Sequence, residues 1–487
     1  MKSHFPNNFL FGFSESGFQF EMGLPGSEDP NSDWWVWVHN EENIFSRIVS
    51  GDFPEDGPAY WHFYKQDHNI AQNLGMNAAR LGIEWSRIFP KPTFDAKIDV
   101  EEDSKGNILR IDINEKALEA LDKIANKDAL NHYREIFNDW KNRGNTLIIN
   151  LYHWPLPIWL HEPIMVRRFG PDRAPSGWLD KKSVVEFIKF VAYIAWKLGE
   201  FPDMWSTMTE PNVIYGSGYV DIKSGFPPGY LSIDSAINAA KHLAEAHARA
   251  YDVLKEISKK PVGIIHAVFA VEPLKFDDDY VEAAERAKKI EIYDFLDLIT
   301  FGKSFFIGER KDLSNRLDWI GVNYYSRVVV RPIKYGMGFE VIDGYGLYCS
   351  PNGVSRDGRP CSDMGWEVYP RGLYNVLIDF WKRYKIPLMV TENGIADAED
   401  RLRPKFLVSH MLQLQKAINS NVDLRGYFHW ALTDNYEWAH GFKMRFGLIH
   451  VDYKTKKRYL RPSALIFRDL VKYGEISEFA AQDEGML

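Results

Sequence analysis

The sequence predicts a (β/α)8 TIM barrel, an α/β fold of eight parallel strands alternating with helices. Three observations point there: strand-like apolar runs recur eight times and mostly alternate with helical stripes, no low-complexity linker divides them, and polar or aromatic residues collect where the runs end. A chain of 487 residues, 45% of them hydrophobic, can build such a barrel as a single domain over residues 1–487, with inserted loops.

The first expected strand covers residues 9–13 and leads into a small-residue segment around Gln19. Residues 77–85 read as the second, with Arg80 in an apolar setting where an unpaired charge is costly, so Arg80 needs an anion nearby. Residues 98–113 alternate apolar and polar around Ser104-Lys105-Gly106-Asn107, the pattern of an exposed hairpin inserted after strand two. Tyr133, Ile136, Phe137 and Trp140 recur at helical spacing, Gly144 ends that helix, and residues 147–151 form the third strand, running into Tyr152-His153-Trp154. The fourth, from Trp205, stops at Thr209-Glu210 with Pro211 behind it. A helical stripe of Leu243, Ala246, Ala250, Leu254 and Ile257 precedes the fifth strand at 262–266, and residues 317–325 form the sixth. A Gly/Pro-rich excursion and a helix carrying Leu373, Val376, Leu377 and Phe380 lead to the seventh, which stops at Thr391-Glu392, and residues 425–430 are the eighth.

A net charge of -8 without a basic block offers no footprint for nucleic acid and no polybasic membrane patch. No window is apolar enough to span a bilayer, and the first residues, Met1-Lys2-Ser3-His4-Phe5-Pro6-Asn7-Asn8, run directly into a strand-like segment without a signal-peptide core, so the expected location is cytoplasmic. Cys349 and Cys361 lack metal-ligand spacing and are expected as two free thiols. The 16 Trp, 24 Tyr and 31 Phe suit a carbohydrate site, because the C–H faces of sugars stack on aromatic planes.

Two glutamates ending strands four and seven face each other across a barrel narrow enough for a retaining pair, with carboxyls roughly 5 Å apart. One must donate a proton to the leaving oxygen of an acetal, and the other must attack the anomeric carbon. A cation at one of them keeps it ionised and holds the proton on its partner. Arg80 is the candidate cation, and whichever glutamate it touches is the nucleophile.

These features resemble the glycoside hydrolase family 1 β-glycosidases, in detail their archaeal, Sulfolobus-like branch, over essentially the whole chain. The likeness is carried by Phe9, Phe11, Gly12, Ser14, Ser16, Gly17, Phe18, Gln19, Glu21 and Gly23 near the start, and by Glu210-Pro211 and Thr391-Glu392-Asn393-Gly394. The resemblance implies that Glu210 is the acid/base and Glu392 the nucleophile, with Arg80 and Tyr324 in contact with it. It places Gln19, His153, Trp154, Trp430, Glu437 and Trp438 around the glycon, and Glu437 as a carboxylate that would repel phosphorylated sugars. The implied enzyme is a retaining, exo-acting β-glycosidase for β-glucosides and β-galactosides, with β-fucosides, β-mannosides and transglycosylation within the family's range. It needs no metal or organic cofactor, and archaeal relatives suggest a homo-oligomer, a tetramer. One position departs from the pattern: Thr209 stands where the family places an Asn that donates to the sugar 2-hydroxyl. Two alternatives stand beside this reading: a non-catalytic sugar-binding pseudoenzyme, supported only by Thr209, and a metal-dependent barrel hydrolase using His153, His266 and His429.

Overall fold

The computed structural model describes residues 5–474; Met1 to His4, on which part of the leader expectation rested, lie outside them. Eight parallel strands form the barrel: β1 (Leu10–Ser14), β2 (Ala78–Gly82), β3 (Thr146–Asn150), β4 (Met204–Thr209), β5 (Val262–Pro273), β6 (Trp319–Pro332), β7 (Leu388–Asn393) and β8 (Leu424–His429). Each pairs in parallel with the next, and β8 pairs with β1 to close the ring. The main outer helices are α1 (Tyr60–Asn73), α2 (Lys127–Asn142), α3 (Lys182–Leu198), α4 (Ile233–Ile257), α5 (Asp294–Phe301), α6 (Pro370–Tyr384), α7 (Arg403–Asn419) and α8 (Pro462–Tyr473).

Side-chain parity divides the core into two shells. Residues facing outward from the strands, such as Ala79, Leu81, Ile149 and Ile264, pack against the helical stripes expected from the sequence, including Tyr133, Trp140, Leu243 and Phe380. Those facing inward, Ala78, Ile148, Ile265, Trp319, Met389 and Phe428, plug the barrel and form the floor beneath the strand C-termini. Gly263 belongs to this packing: a Cβ there would lie 2.3 Å from the Trp319 indole.

The expected hairpin is present as an antiparallel pair, Asp99–Glu102 with Ile108–Asp112. Three strand ends differ clearly from expectation. β2 ends at Gly82, because the Glu84 N–H is taken by the Tyr133 hydroxyl at 3.0 Å, and Trp85–Ile88 coils into one helical turn. β5 and β6 extend well past the barrel rim, where Arg327 pairs with Ala270 and Val330 with Pro273. Their β-branched runs continue without a turn residue, so the ladder continues too. Cys349 and Cys361 are free thiols.

Candidate active site

The ends of β4 and β7 present their glutamates differently. Glu392 stays within β7, whereas Glu210 sits one residue beyond β4 at φ 52°, its N–H donating to the Ile265 carbonyl at 2.8 Å. This left-handed turn is costly for a residue with a side chain, and such strain is characteristic of residues aimed at a site. Pro211 then starts a helix, Pro211–Tyr219, and Asn212 clamps the start by donating to the Ala267 carbonyl at 2.9 Å.

Arg80 reaches across the barrel to one glutamate only. Its Nη2 donates to Glu392 Oε1 at 2.5 Å, and its Nη1 donates to Thr209 Oγ1 at 2.9 Å. The Tyr325 hydroxyl donates to Glu392 Oε2 at 2.7 Å, so both oxygens of Glu392 are held by strong donors. Burial raises the pKa of Glu392, but Arg80, Tyr325 and Asn323 all pull it back toward the ionised form. Glu210 has weaker support: Asn323 Nδ2 donates to its Oε1 at 2.7 Å. Burial, followed by the negative charge of Glu392, pushes Glu210 up to about 8 against the opposing pull of Asn323 and Arg80. The two carboxyls are thereby separated in proton affinity, one gripped by a cation and the other kept protonated near neutral pH.

Around this pair stand the expected glycon residues. Gln19 is fully buried and its Nε2 donates to the Tyr436 carbonyl at 3.0 Å and to Glu437 Oε2 at 3.3 Å, tying the first loop to the last. Burial and the charges of Glu392 and Glu210 also push Glu437 up to about 8. Burial, helped by Arg80, holds His153 well below its usual pKa, so the ring is neutral, and its Nδ1 has no hydrogen-bond partner among the described residues. Trp430 lies 6.2 Å from the His153 ring and 5.9 Å from the Arg80 guanidinium. Trp438 stacks on Phe18 at 5.7 Å with Trp34 and Trp154 each 4.6 Å away, so the last aromatic wall is backed by further aromatics. Trp154 uses its indole N–H on the Thr209 carbonyl at 2.7 Å, which makes it a brace for the Glu210 turn as well as a wall.

One residue assignment is corrected. Tyr324 does not touch Glu392: it is fully buried among the helices and its hydroxyl donates to the Tyr369 carbonyl at 2.6 Å. The parity of β6 explains this, since Trp319 plugs the barrel while Ile320, Val322 and Tyr324 belong to the outer shell. Tyr325 is the inward residue. Tyr325→Phe is expected to lower kcat roughly 10- to 100-fold, the value of one hydrogen bond to a charged group. Tyr324→Phe should leave kcat within about twofold and cost about 1 kcal/mol of stability. Steady-state kinetics and denaturant unfolding of the two variants check this contrast.

Asn323, Tyr325 and Thr391 were not singled out by the sequence, although counting in twos from Trp319 marks Asn323 and Tyr325 as inward. His266 Nε2 donates to the Ile292 carbonyl at 3.0 Å, and His429 Nδ1 shares a hydrogen bond with the Tyr427 hydroxyl at 3.2 Å. Among the described residues, no three His, Cys, Asp or Glu side chains converge as a metal-binding group.

Similarity to known proteins spans nearly the whole chain. The sequence pattern of glycosyl hydrolase family 1 matches residues 1–100 and 121–476, and the gap between them includes most of the exposed hairpin. The chain is 54% identical over 477 residues to the β-galactosidase of Saccharolobus solfataricus, covering 97% of this chain and 96% of that protein. The crystal structure of the β-glycosidase from the hyperthermophile Thermosphaera aggregans is similar throughout, with a TM-score of 0.95, 55% identity, and coverage of 98% of this chain and 99% of that one. With a pattern match and a relative that both span nearly the whole chain, the protein belongs to glycosyl hydrolase family 1 and is a glycoside hydrolase.

Proposed function

We propose that this enzyme is a retaining, exo-acting β-glycosidase that hydrolyses β-glucosides and β-galactosides, with β-fucosides and β-mannosides as further candidate glycons. The observation that carries the reading is the unequal treatment of the two glutamates, with Arg80 and Tyr325 on Glu392 and only the Asn323 amide on Glu210. Glu392, held as the anion, attacks the anomeric carbon while Glu210 gives its proton to the leaving oxygen. Glu210, now ionised, removes a proton from water, and the water opens the glycosyl-enzyme ester with net retention. A sugar hydroxyl in place of water gives transglycosylation by the same step. Gln19, His153 and Glu437 supply hydrogen bonds to glycon hydroxyls, and Trp430 and Trp438 supply the stacking faces. The test is the anomer first released, followed by proton NMR. The β-anomer is expected, and α-anomer as the first product would overturn the mechanism.

Thr209 bears on which glycon is preferred. Its hydroxyl already accepts from Arg80, and threonine carries no amide donor to offer the sugar. A 2-hydroxyl contact that strengthens in the transition state contributes several kcal/mol in this chemistry. Thr209→Asn is therefore expected to raise kcat/KM on a glucoside by about tenfold or more and to leave its 2-deoxy analogue unchanged. Equal gains on both substrates would remove the 2-hydroxyl from the explanation. For assembly and location, we extend the expectation of a cytoplasmic homo-oligomer. One relative in the solved structures, 54% identical, is a β-glucosidase mutant derived from a hyperthermophilic tetrameric structure.

A further inference from the structure

We propose that Thr391 is a positioning residue that decides which oxygen of Glu210 carries the catalytic proton, acting through the amide of Asn323; this rests on Glu210 being the acid/base. The contacts form a short chain between the two catalytic strands. Thr391 Oγ1 donates to Asn323 Oδ1 at 2.8 Å, and Asn323 Nδ2 donates to Glu210 Oε1 at 2.7 Å. Thr391 and Asn323 are both essentially fully buried, so neither can exchange its partner for bulk water.

A primary amide has one acceptor end and one donor end, and its neighbours decide which way it points. Here the donor end faces the carboxyl pair, since the Asn323 amide bonds to Glu210 and favours the charged form of Glu392 as well. The acceptor end is left facing away from solvent, and the Thr391 hydroxyl satisfies it. The fold makes room for that hydroxyl through Gly321, two residues before Asn323 on β6. A Cβ at Gly321 would lie 2.7 Å from Thr391 Oγ1 and 2.9 Å from its methyl. The Thr391 backbone is fixed in turn by Ser14, whose hydroxyl donates to the Thr391 carbonyl at 2.6 Å.

The chemical consequence concerns the acid step. With an N–H already on Oε1, the acidic proton of Glu210 belongs on Oε2, the oxygen free to face the leaving group. When the bond from the anomeric carbon to the leaving oxygen breaks, that proton passes from Oε2 to the departing oxygen, the new bond forms to Glu392, and Glu210 is left as a carboxylate. The same amide then stabilises that carboxylate for its turn as base. Without the Thr391 hydroxyl, Oδ1 is buried and unpaired, and the amide gains by turning Oδ1 toward Glu210. The proton then sits on Oε1, bonded to Oδ1 and directed away from the leaving group.

The experiment compares Thr391→Val, a nearly isosteric change, with Thr391→Ser on an alkyl glucoside and a dinitrophenyl glucoside, across pH. The alkyl leaving group needs protonation and the dinitrophenolate does not. For Thr391→Val, the loss in kcat/KM on the alkyl substrate is expected to exceed that on the activated one by at least about tenfold. Its alkaline limb should also move upward, and Thr391→Ser should restore both. Equal losses on the two substrates, or an unmoved alkaline limb, would overturn the proposal. If Thr391→Val does not fold, Thr391→Ala takes its place with the same expected results. Glu210→Gln, run in parallel, keeps the two claims apart. If that variant also shows equal losses, the acid/base reading itself fails; if it is leaving-group dependent and Thr391→Val is not, only the role of Thr391 fails.

Discussion

Glu392→Gln is expected to lower kcat/KM by roughly 10⁴- to 10⁶-fold, the range seen when a covalent nucleophile is removed from an otherwise intact site. The amide keeps the shape of the carboxyl but cannot form the ester intermediate. It also takes the counter-ion from Arg80, which is fully buried and whose Nε has no hydrogen-bond partner among the described residues. Leaving such a guanidinium without an anion costs about 3 kcal/mol or more, so the variant should unfold at lower denaturant as well. Stopped assays and urea titrations measure the two effects. Retention of more than about one part in a hundred of the activity would mean that another group attacks the anomeric carbon.

Glu210→Gln should be the second most damaging change, and a selective one. General acid assistance is worth about 10²- to 10⁴-fold, so an alkyl glucoside should lose activity on that scale and a dinitrophenyl glucoside far less. The pH dependence follows from the protonation that glycosylation requires. Burial and the Glu392 charge push Glu210 up to about 8, and the active form is the protonated one. The parent's kcat/KM should therefore hold on the neutral side and fall as pH rises through about 8. In the variant the part of this limb that is peculiar to the alkyl substrate should vanish. Glu437 is also pushed up to about 8, but its deprotonation acts on glycon binding and should affect every leaving group alike. A limb that persists unchanged in Glu210→Gln would assign the titration to Glu437.

The barrel was legible because its strands are short, continuous apolar runs ended by polar residues, and the periodicity of two and the helical stripes seldom compete. Arg80 was legible because a buried charge demands a partner, and the geometry supplies Glu392. The two glutamates stood out through their shared Thr-Glu strand ending. The glycon wall was not readable from pattern alone. Gln19 meets Glu437 across 418 residues of sequence, and only the family resemblance named them together. The adjacent Tyr324 and Tyr325 look alike in sequence until the parity of β6 is counted from a known inward residue. The roles of Asn323 and Thr391 were not legible for another reason. Neither carries a charge, and a small polar residue at a strand end is ordinary until its hydrogen bonds are known.

The central claim is that Glu392 attacks the sugar and forms a covalent intermediate. The most direct test is the intact mass of the protein after incubation with an activated 2-deoxy-2-fluoro-β-glucoside, followed by peptide mapping. The fluorine slows both formation and breakdown of the ester, the activated leaving group keeps formation the faster of the two, and the reagent lacks the 2-hydroxyl, so the outcome does not depend on Thr209. The expected result is one glycosyl group per chain, on the peptide carrying Glu392. An adduct on any other residue, or turnover of the reagent with no labelled protein trapped, would contradict the account.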